Sequence, residues 1–206
     1  MGAEELLRIK EVRIAVDVDA VLALWHHLLV REWNKRTNKA FTMADIDDFD
    51  TSKSGLAMPE ETFVELHGII WNDLTAEVIP AVHEGCLLEY MKAIPMDLVT
   101  TMFPGSRPGF MRWLNHNFPS IKFETMVAGK DSDFDALRRR IAADASPKVV
   151  FTERGADKLK LGHNRFVDDS PKLGDSSCRK SLLLPFDRSC CIFCAARFKD
   201  CAAASR

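Results

Sequence analysis

The chain reads as an α/β protein, a parallel sheet with a smaller helical insertion, and three observations predict this. The apolar run Ile14-Ala15-Val16 passes directly into Asp17 and Asp19, as a buried strand does on leaving a sheet. The same order, an apolar run followed by acids, recurs at Arg165-Phe166-Val167-Asp168-Asp169. Between Met96 and Asp168, β-rich runs and helical patterns alternate, which is the signature of βαβ units. With 206 residues, of which 47% are hydrophobic, the chain can bury the core of one such domain.

The elements follow in order. After the first strand, Leu24 with Leu28 and Trp25 with Leu29 stand at helical spacing, and the polar stretch to Asn38 ends that pattern. Thr42 with Asp45 three residues on resembles a capping box for a short helical turn. Pro59, followed by Glu60 and Glu61, is a strong start for a helix through Asn72. Residues 24–90 are therefore expected to be mostly helical. Because the next strand, Met96 to Thr101, comes only afterwards, they are assigned as a cap on a core of residues 1–23 and 91–206. A helix through Leu114 follows the Pro104, Gly105 and Pro108 loop. Then come a strand near Ile121 to Val127, a charged helix from Asp133 to Ala143, a strand Lys148 to Thr152, a short helix Ala156 to Leu161, the acidic strand Phe166 to Asp168, and an edge strand Ser181 to Phe186. The alanine-rich last residues are expected to fray.

Charge and composition narrow the function classes. A formal net charge of −2 does not favour a nucleic-acid polymer. No apolar run approaches the roughly 20 residues needed to span a bilayer. The acidic start MGAEELLRIK is unlike a secretory signal, so a cytoplasmic protein with no membrane partner is expected. Five of the six cysteines fall between Cys178 and Cys201. Cys191 and Cys194 form a CxxC without a second pair at matching spacing, so reduced thiols are expected rather than zinc.

The acids carry the chemistry. Alternate residues of an extended chain share a face, so Asp17 and Asp19 converge, and two such charges repel by about 4 kcal/mol at ~4 Å and an effective dielectric near ~20. In a parallel sheet the carboxyl ends of the strands line one edge. There Asp17, Asp19, Asp168 and Asp169 could share one Mg²⁺ in an all-oxygen site. His26 and His27 are adjacent on a helix and diverge, so they are not expected to hold one ion together.

Taken in order, four motifs resemble the haloacid dehalogenase (HAD) superfamily of phosphohydrolases: Asp17-x-Asp19-x-Val21, Thr100-Thr101 at the end of the second strand, Lys158 in GADKLKLG, and Asp168-Asp169. A closer likeness is to the 5'(3')-deoxyribonucleotidase branch, carried by LWHHLLVREWNKRTNKAFTMADIDDFD and DKLKLGHNRFVDD. The resemblance implies a Rossmann-like core with helices on both faces and a small helical cap inserted after the first strand. It implies a Mg²⁺-dependent phosphomonoesterase, acting on a small phosphate ester and most specifically a nucleoside monophosphate, through an aspartyl-phosphate. Asp17 is then the nucleophile and Asp19 the acid and base. Thr100, Thr101 and Lys158 bind the phosphoryl oxygens, and the four aspartates surround the metal. Lys130 is the rival for Lys158. Trp33, Phe49, Phe63 and Trp71 are candidates to stack on a base, with Phe49 and Trp71 preferred. Ala20 stands where most relatives carry glycine, which motivates a second reading as a scaffold of this fold with little activity. The choice between monomer and homodimer stays open.

Overall fold

The computed structural model describes residues 12–19, 21–23, 25–46, 48, 51–74, 88–89, 91–92, 94–168 and 181–183. Ala20, Phe49, Asp169 and all six cysteines lie outside the described residues, as do the side chain of Asp168 and the side chains of 181–183. The described strands are β1 (Ile14–Val16), β2 (Met96–Thr101), β3 (Glu124–Ala128), β4 (Lys148–Thr152), β5 (Arg165–Asp168) and β6 (Ser181–Leu183). The helices are α1 (His26–Thr37), α2 (Glu60–Asn72), α3 (Arg107–Asn117) and α4 (Phe134–Ala142). Short 3₁₀ segments occupy Met43–Asp45, Pro104–Ser106 and Gly155–Leu161. None of the described helices is long and apolar enough to cross a membrane.

The strands form one sheet in the order β3-β4-β2-β1-β5-β6, and every neighbouring pair is parallel. Alternation along the strands divides the core in two. Val16, Leu98, Val149 and Phe151 pack with Leu29 of α1, Ile70 and Trp71 of α2 and Phe110 and Trp113 of α3. Ala15, Val99 and Val150 point the other way, into a smaller cluster with Ile141 of α4 and Leu161. Helical elements therefore cover both faces, and a strand buried on both sides must be apolar throughout, as VVF in β4 is. The parallel α/β class expected from the strand pattern is the architecture found.

Local chemistry sets the element ends. Asn38 closes α1 in the left-handed region at φ 53°, with Lys35 and Arg36 complementing the dipole of its last turn. The Thr42 N–H donates to the Asp45 carboxylate at 2.6 Å, as the spacing predicts. Glu60 and Glu61 occupy the first turn of α2, which buries Leu66, His67, Ile70 and Trp71 at helical spacing. Asp133 caps α4 by accepting the Ala136 N–H at 3.0 Å. The third strand begins at Glu124, later than the Ile121 start expected. Ile121 instead turns back, its N–H donating to the Phe118 carbonyl at 3.1 Å, and is buried in the main core. At Gly109 the helices α2 and α3 meet so closely that a Cβ would lie 1.9 Å from the Trp71 carbonyl oxygen.

A polar hub fastens the amino-terminal edge of the sheet. Asp97 in β2 is fully buried, and its carboxylate accepts from Arg13 Nε at 2.6 Å, Arg13 Nη2 at 2.8 Å, His163 Nε2 at 2.8 Å and the Lys148 N–H at 2.9 Å. Burial opposes ionisation of Asp97, but the hydrogen bonds from His163 and Arg13 overcome it and hold the carboxyl below the usual carboxylate range. One side chain thus links the approaches to β1, β4 and β5 to β2.

Candidate active site at the carboxyl edge

The chain leaves β1 towards β2 on one side and leaves β5 towards β6 on the other. Connections that diverge from neighbouring parallel strands open a crevice at their carboxyl ends, where open α/β sheets bind ligands. Val16 pairs with Val167, and the Asp17 N–H donates to the Val167 carbonyl at 2.8 Å, so Asp17 sits at this divergence, level with Asp168 in the adjacent strand.

Asp17 is nearly buried, with its side chain 10% exposed, and it is held in place. Its Oδ1 accepts the Val18 N–H at 2.8 Å, and its Oδ2 pairs with Lys158 Nζ at 2.7 Å; the lysine side chain is 6% exposed. Beyond Asp17 the chain turns tightly, the N–H groups of Val21, Leu22 and Ala23 all donating to the Val18 carbonyl. This turn makes Asp19 bridge Ala23 and leaves Asp19 half-buried.

Lys158 arrives from the 3₁₀ segment after β4. With three residues per turn, positions i and i+3 align. Arg154, Asp157 and Lys160 cluster accordingly. Arg154 donates to both Asp157 carboxylate oxygens at 3.0 Å, and Lys160 Nζ donates to Oδ1 at 2.8 Å. The hydrogen bond from Arg154 is the leading influence holding the Asp157 carboxyl below its usual range, with Lys160 adding to it against the cost of burial. Gly162 ends the segment at φ 86°, a conformation in which a side chain is strained.

Of the two threonines at the end of β2, Thr100 is fully buried, and its hydroxyl has no hydrogen-bond partner among the described residues. Buried polar atoms are usually satisfied, so this hydroxyl stands out as an exception at the strand end. Thr101 is exposed and shares a 2.8 Å hydrogen bond with Thr152 Oγ1 at the end of β4. Thr152 also approaches the Thr100 carbonyl at 3.4 Å, so it ties the ends of β2 and β4 together.

An aromatic group lies on the elements around this edge. His67 of α2 is the hub, with ring centroids 5.2 Å from Trp25, 6.0 Å from Phe63 and 5.1 Å from Phe103, and its Nδ1 is 2.7 Å from Ser106 Oγ. Burial, and then the charge of His26, push the His67 pKa down to about 3, so the ring is neutral at pH 7. Burial, and then His27, push His26 down to about 4.

The sequence candidates therefore separate. Asp17 and Lys158 are in direct contact, and Asp19, Thr100 and Thr101 lie on the same edge of the sheet. Lys130 is exposed on the loop after β3, where its N–H donates to Glu153 Oε2 at 2.9 Å. Trp71 is fully buried, edge-on to Phe110 and Trp113, and Trp33 is half-buried with its Nε1–H donating to the Leu56 carbonyl at 3.0 Å. Phe63 is partly buried, while Phe49 and Asp169 lie outside the described residues. Three participants went unmarked in the sequence: Thr152, Asp157 and the His67–Ser106 pair. Only Asp157 carried a signal, the R-x-x-D-x-x-K spacing of Arg154, Asp157 and Lys160.

Among the described residues no group of three or more His, Cys, Asp or Glu side chains gathers in a metal-binding arrangement. The described acids that follow β1 on this edge are Asp17 and Asp19, whose carboxylates are hard oxygen donors. That donor chemistry suits Mg²⁺ rather than a soft metal. Compared with protein-family models and with curated proteins, the chain matches none.

Proposed function

We propose that this chain is a phosphomonoesterase of the HAD type, dephosphorylating small phosphate esters, most specifically nucleoside monophosphates, with Asp17 as nucleophile. The observation that carries the reading is the contact of Asp17 with Lys158 at 2.7 Å, on the sheet edge where the chain diverges from β1 and β5. A carboxylate that is nearly dehydrated and oriented by a backbone N–H is preorganised for attack, and the adjacent ammonium can accompany a phosphoryl oxygen.

In this mechanism an Asp17 carboxylate oxygen attacks phosphorus in line. The phosphorus bond to the leaving oxygen breaks, and Asp19 delivers a proton to that oxygen. Asp19 then takes a proton from water, which attacks the aspartyl-phosphate at phosphorus and returns Asp17 to its free carboxylate. Lys158, the Thr100 hydroxyl and Thr101 hold the phosphoryl oxygens, on which charge is spread in the transition state. Mg²⁺, held by Asp17, the Asp19 carbonyl and Asp168 with Asp169, would supply further charge neutralisation when bound. Trp25, Phe63 and His67, which stand on the described part of the range expected to form the cap, would shelter this edge from water. The aromatic faces of Phe63 and Phe103 favour a planar leaving group; Phe103 is 36% exposed.

The test is phosphate release from a panel of nucleoside and deoxynucleoside monophosphates and sugar phosphates, with Mg²⁺ or with EDTA, for wild type and Asp17→Asn. Turnover that requires Mg²⁺ and is lost in the variant supports the reading, and the best substrate tests the nucleotide assignment. A folded wild type that hydrolyses none of the panel contradicts it and favours the scaffold alternative.

A further inference from the structure

We propose that Asp157 is the positioning residue for Lys158, its clamped carboxylate fixing the segment that presents the ammonium to Asp17. The inference rests on the phosphatase reading for its consequence in catalysis, while its geometric content stands on the fold alone.

The Asp157 side chain is completely buried, whereas its partners Arg154 and Lys160 are 55% and 47% exposed. The two cations therefore reach in from the surface to a carboxylate that faces inward. In a helix of three residues per turn, Arg154, Asp157 and Lys160 form one row, and the next row contains Lys158 and Leu161. Leu161 is fully buried in the smaller core cluster, so Lys158 is aimed inward by the same turn that seats Leu161. The third row is outward, where Ala156 and Leu159 are exposed. Clamping Asp157 thus sets the rotation of the segment about its own axis, and that rotation decides where Lys158 points.

The segment is held from outside as well. Arg138 of α4 donates to the Lys160 carbonyl at 3.0 Å, and Lys160 Nζ lies 4.9 Å from the centroid of the Phe134 ring. These contacts secure the far end. Asp157, directly before Lys158, governs the near one. Lysine is a flexible point charge on a long stem, so its placement depends on the backbone that carries it.

The test measures Lys158 directly. The intact chain is pulsed with acetic anhydride, and labelling of each lysine is followed by peptide mass spectrometry in wild type, Asp157→Asn and Arg154→Gln. Arg154 is more than half exposed, so its substitution gives a second variant with little risk to folding. Lys148, fully buried at the opposite edge of the sheet, reports general loosening. The expected result is a several-fold rise in Lys158 labelling in Asp157→Asn, and a smaller rise in Arg154→Gln, with Lys148 unchanged. Unchanged Lys158 labelling in both variants, or Lys148 rising in step with it, overturns the proposal. In the activity arm, kcat/KM of Asp157→Asn falls by about 10- to 100-fold, the scale of a misplaced catalytic group. Adding Asp157→Asn to Lys158→Ala then costs nothing more. A further loss in that background overturns positioning through Lys158. A wild type inert towards the whole panel sinks the phosphatase reading instead, and the labelling result alone then decides this inference.

Discussion

Replacing Asp97 by alanine should be among the most destabilising single changes in the chain. Asp97 accepts four hydrogen bonds, two from Arg13 and one each from His163 and the Lys148 backbone, and its side chain is completely buried. Alanine removes the acceptor and leaves these donors in place. The Arg13 side chain is only 13% exposed and the His163 side chain is fully buried, so water cannot fully replace the carboxylate. Removing one partner of a buried charge pair costs about 3–5 kcal/mol. For a domain of this size that is a fall in Tm of about 6–20 °C. Asp97→Asn keeps the size and one acceptor oxygen and should lose about 1–3 kcal/mol. The pH dependence has a definite sign. The folded-state pKa of Asp97 is depressed, so the stability it contributes is fully present above the unfolded carboxylate value, 3.8, and is lost as pH falls below it towards the folded value. The gap between wild type and Asp97→Ala should therefore be constant near neutrality and narrow below about pH 4. Urea unfolding at a series of pH values measures both effects. A loss under about 1 kcal/mol at pH 7, against the 3–5 expected of a buried pair, would refute the view that this hub secures the sheet.

Other perturbations have equally definite outcomes. Gly109→Ala places a methyl 1.9 Å from the Trp71 carbonyl oxygen and must push α2 from α3; a loss of about 1–3 kcal/mol is expected in thermal unfolding, and an unchanged Tm would show that the helices are not in contact there. Asn38→Ala forces a less tolerant residue into the left-handed position at φ 53° and should cost about 1 kcal/mol, with Asn38→Gly costing none. His67 and His26 are kept neutral by burial, with folded pKa values of about 3 and about 4. The unfolded chain takes up those protons as pH falls through about 6.5, so stability should decline from there towards pH 3, and His67→Leu should flatten that decline. Lys158→Ala should weaken inorganic phosphate binding measured by calorimetry with Mg²⁺ present; equal affinity in the two proteins would remove Lys158 from the phosphate site.

Much of the frame is legible in the sequence because it rests on local rules. Ile14 to Val16 and the acids after it, the Pro59-Glu60-Glu61 helix start, and VVF in β4 each follow from neighbours in the chain. The strand order does not, since it depends on which connections cross the sheet. The Asp97 hub was invisible for the same reason: Arg13, Asp97, Lys148 and His163 come from four separate stretches of the chain, and each alone looks like a surface residue. Asp157 was hidden in a segment, GADKLKLG, whose charges suggest full solvation, although the Arg154 and Lys160 stems cover its carboxylate. Trp71 illustrates the opposite case. Its aromatic face suited a base in the sequence, but the close approach of α3 at Gly109 encloses it against Phe110 and Trp113. At the candidate site, Asp17 and Lys158, which the structure brings into contact, are both marked in the sequence by order and spacing. Thr152 was not, because its role arises only from the parallel register of β2 and β4.

The most direct test of the central claim is to look for the covalent intermediate. Wild type, Asp17→Asn and Asp19→Asn are mixed with the best substrate of the panel and Mg²⁺, quenched in acid within a turnover, and digested for mass spectrometry. A phosphoryl group on Asp17 in wild type, absent in Asp17→Asn, is the predicted result. Phosphate release by an Asp17→Asn protein, or a phosphoryl group on another residue, would contradict it.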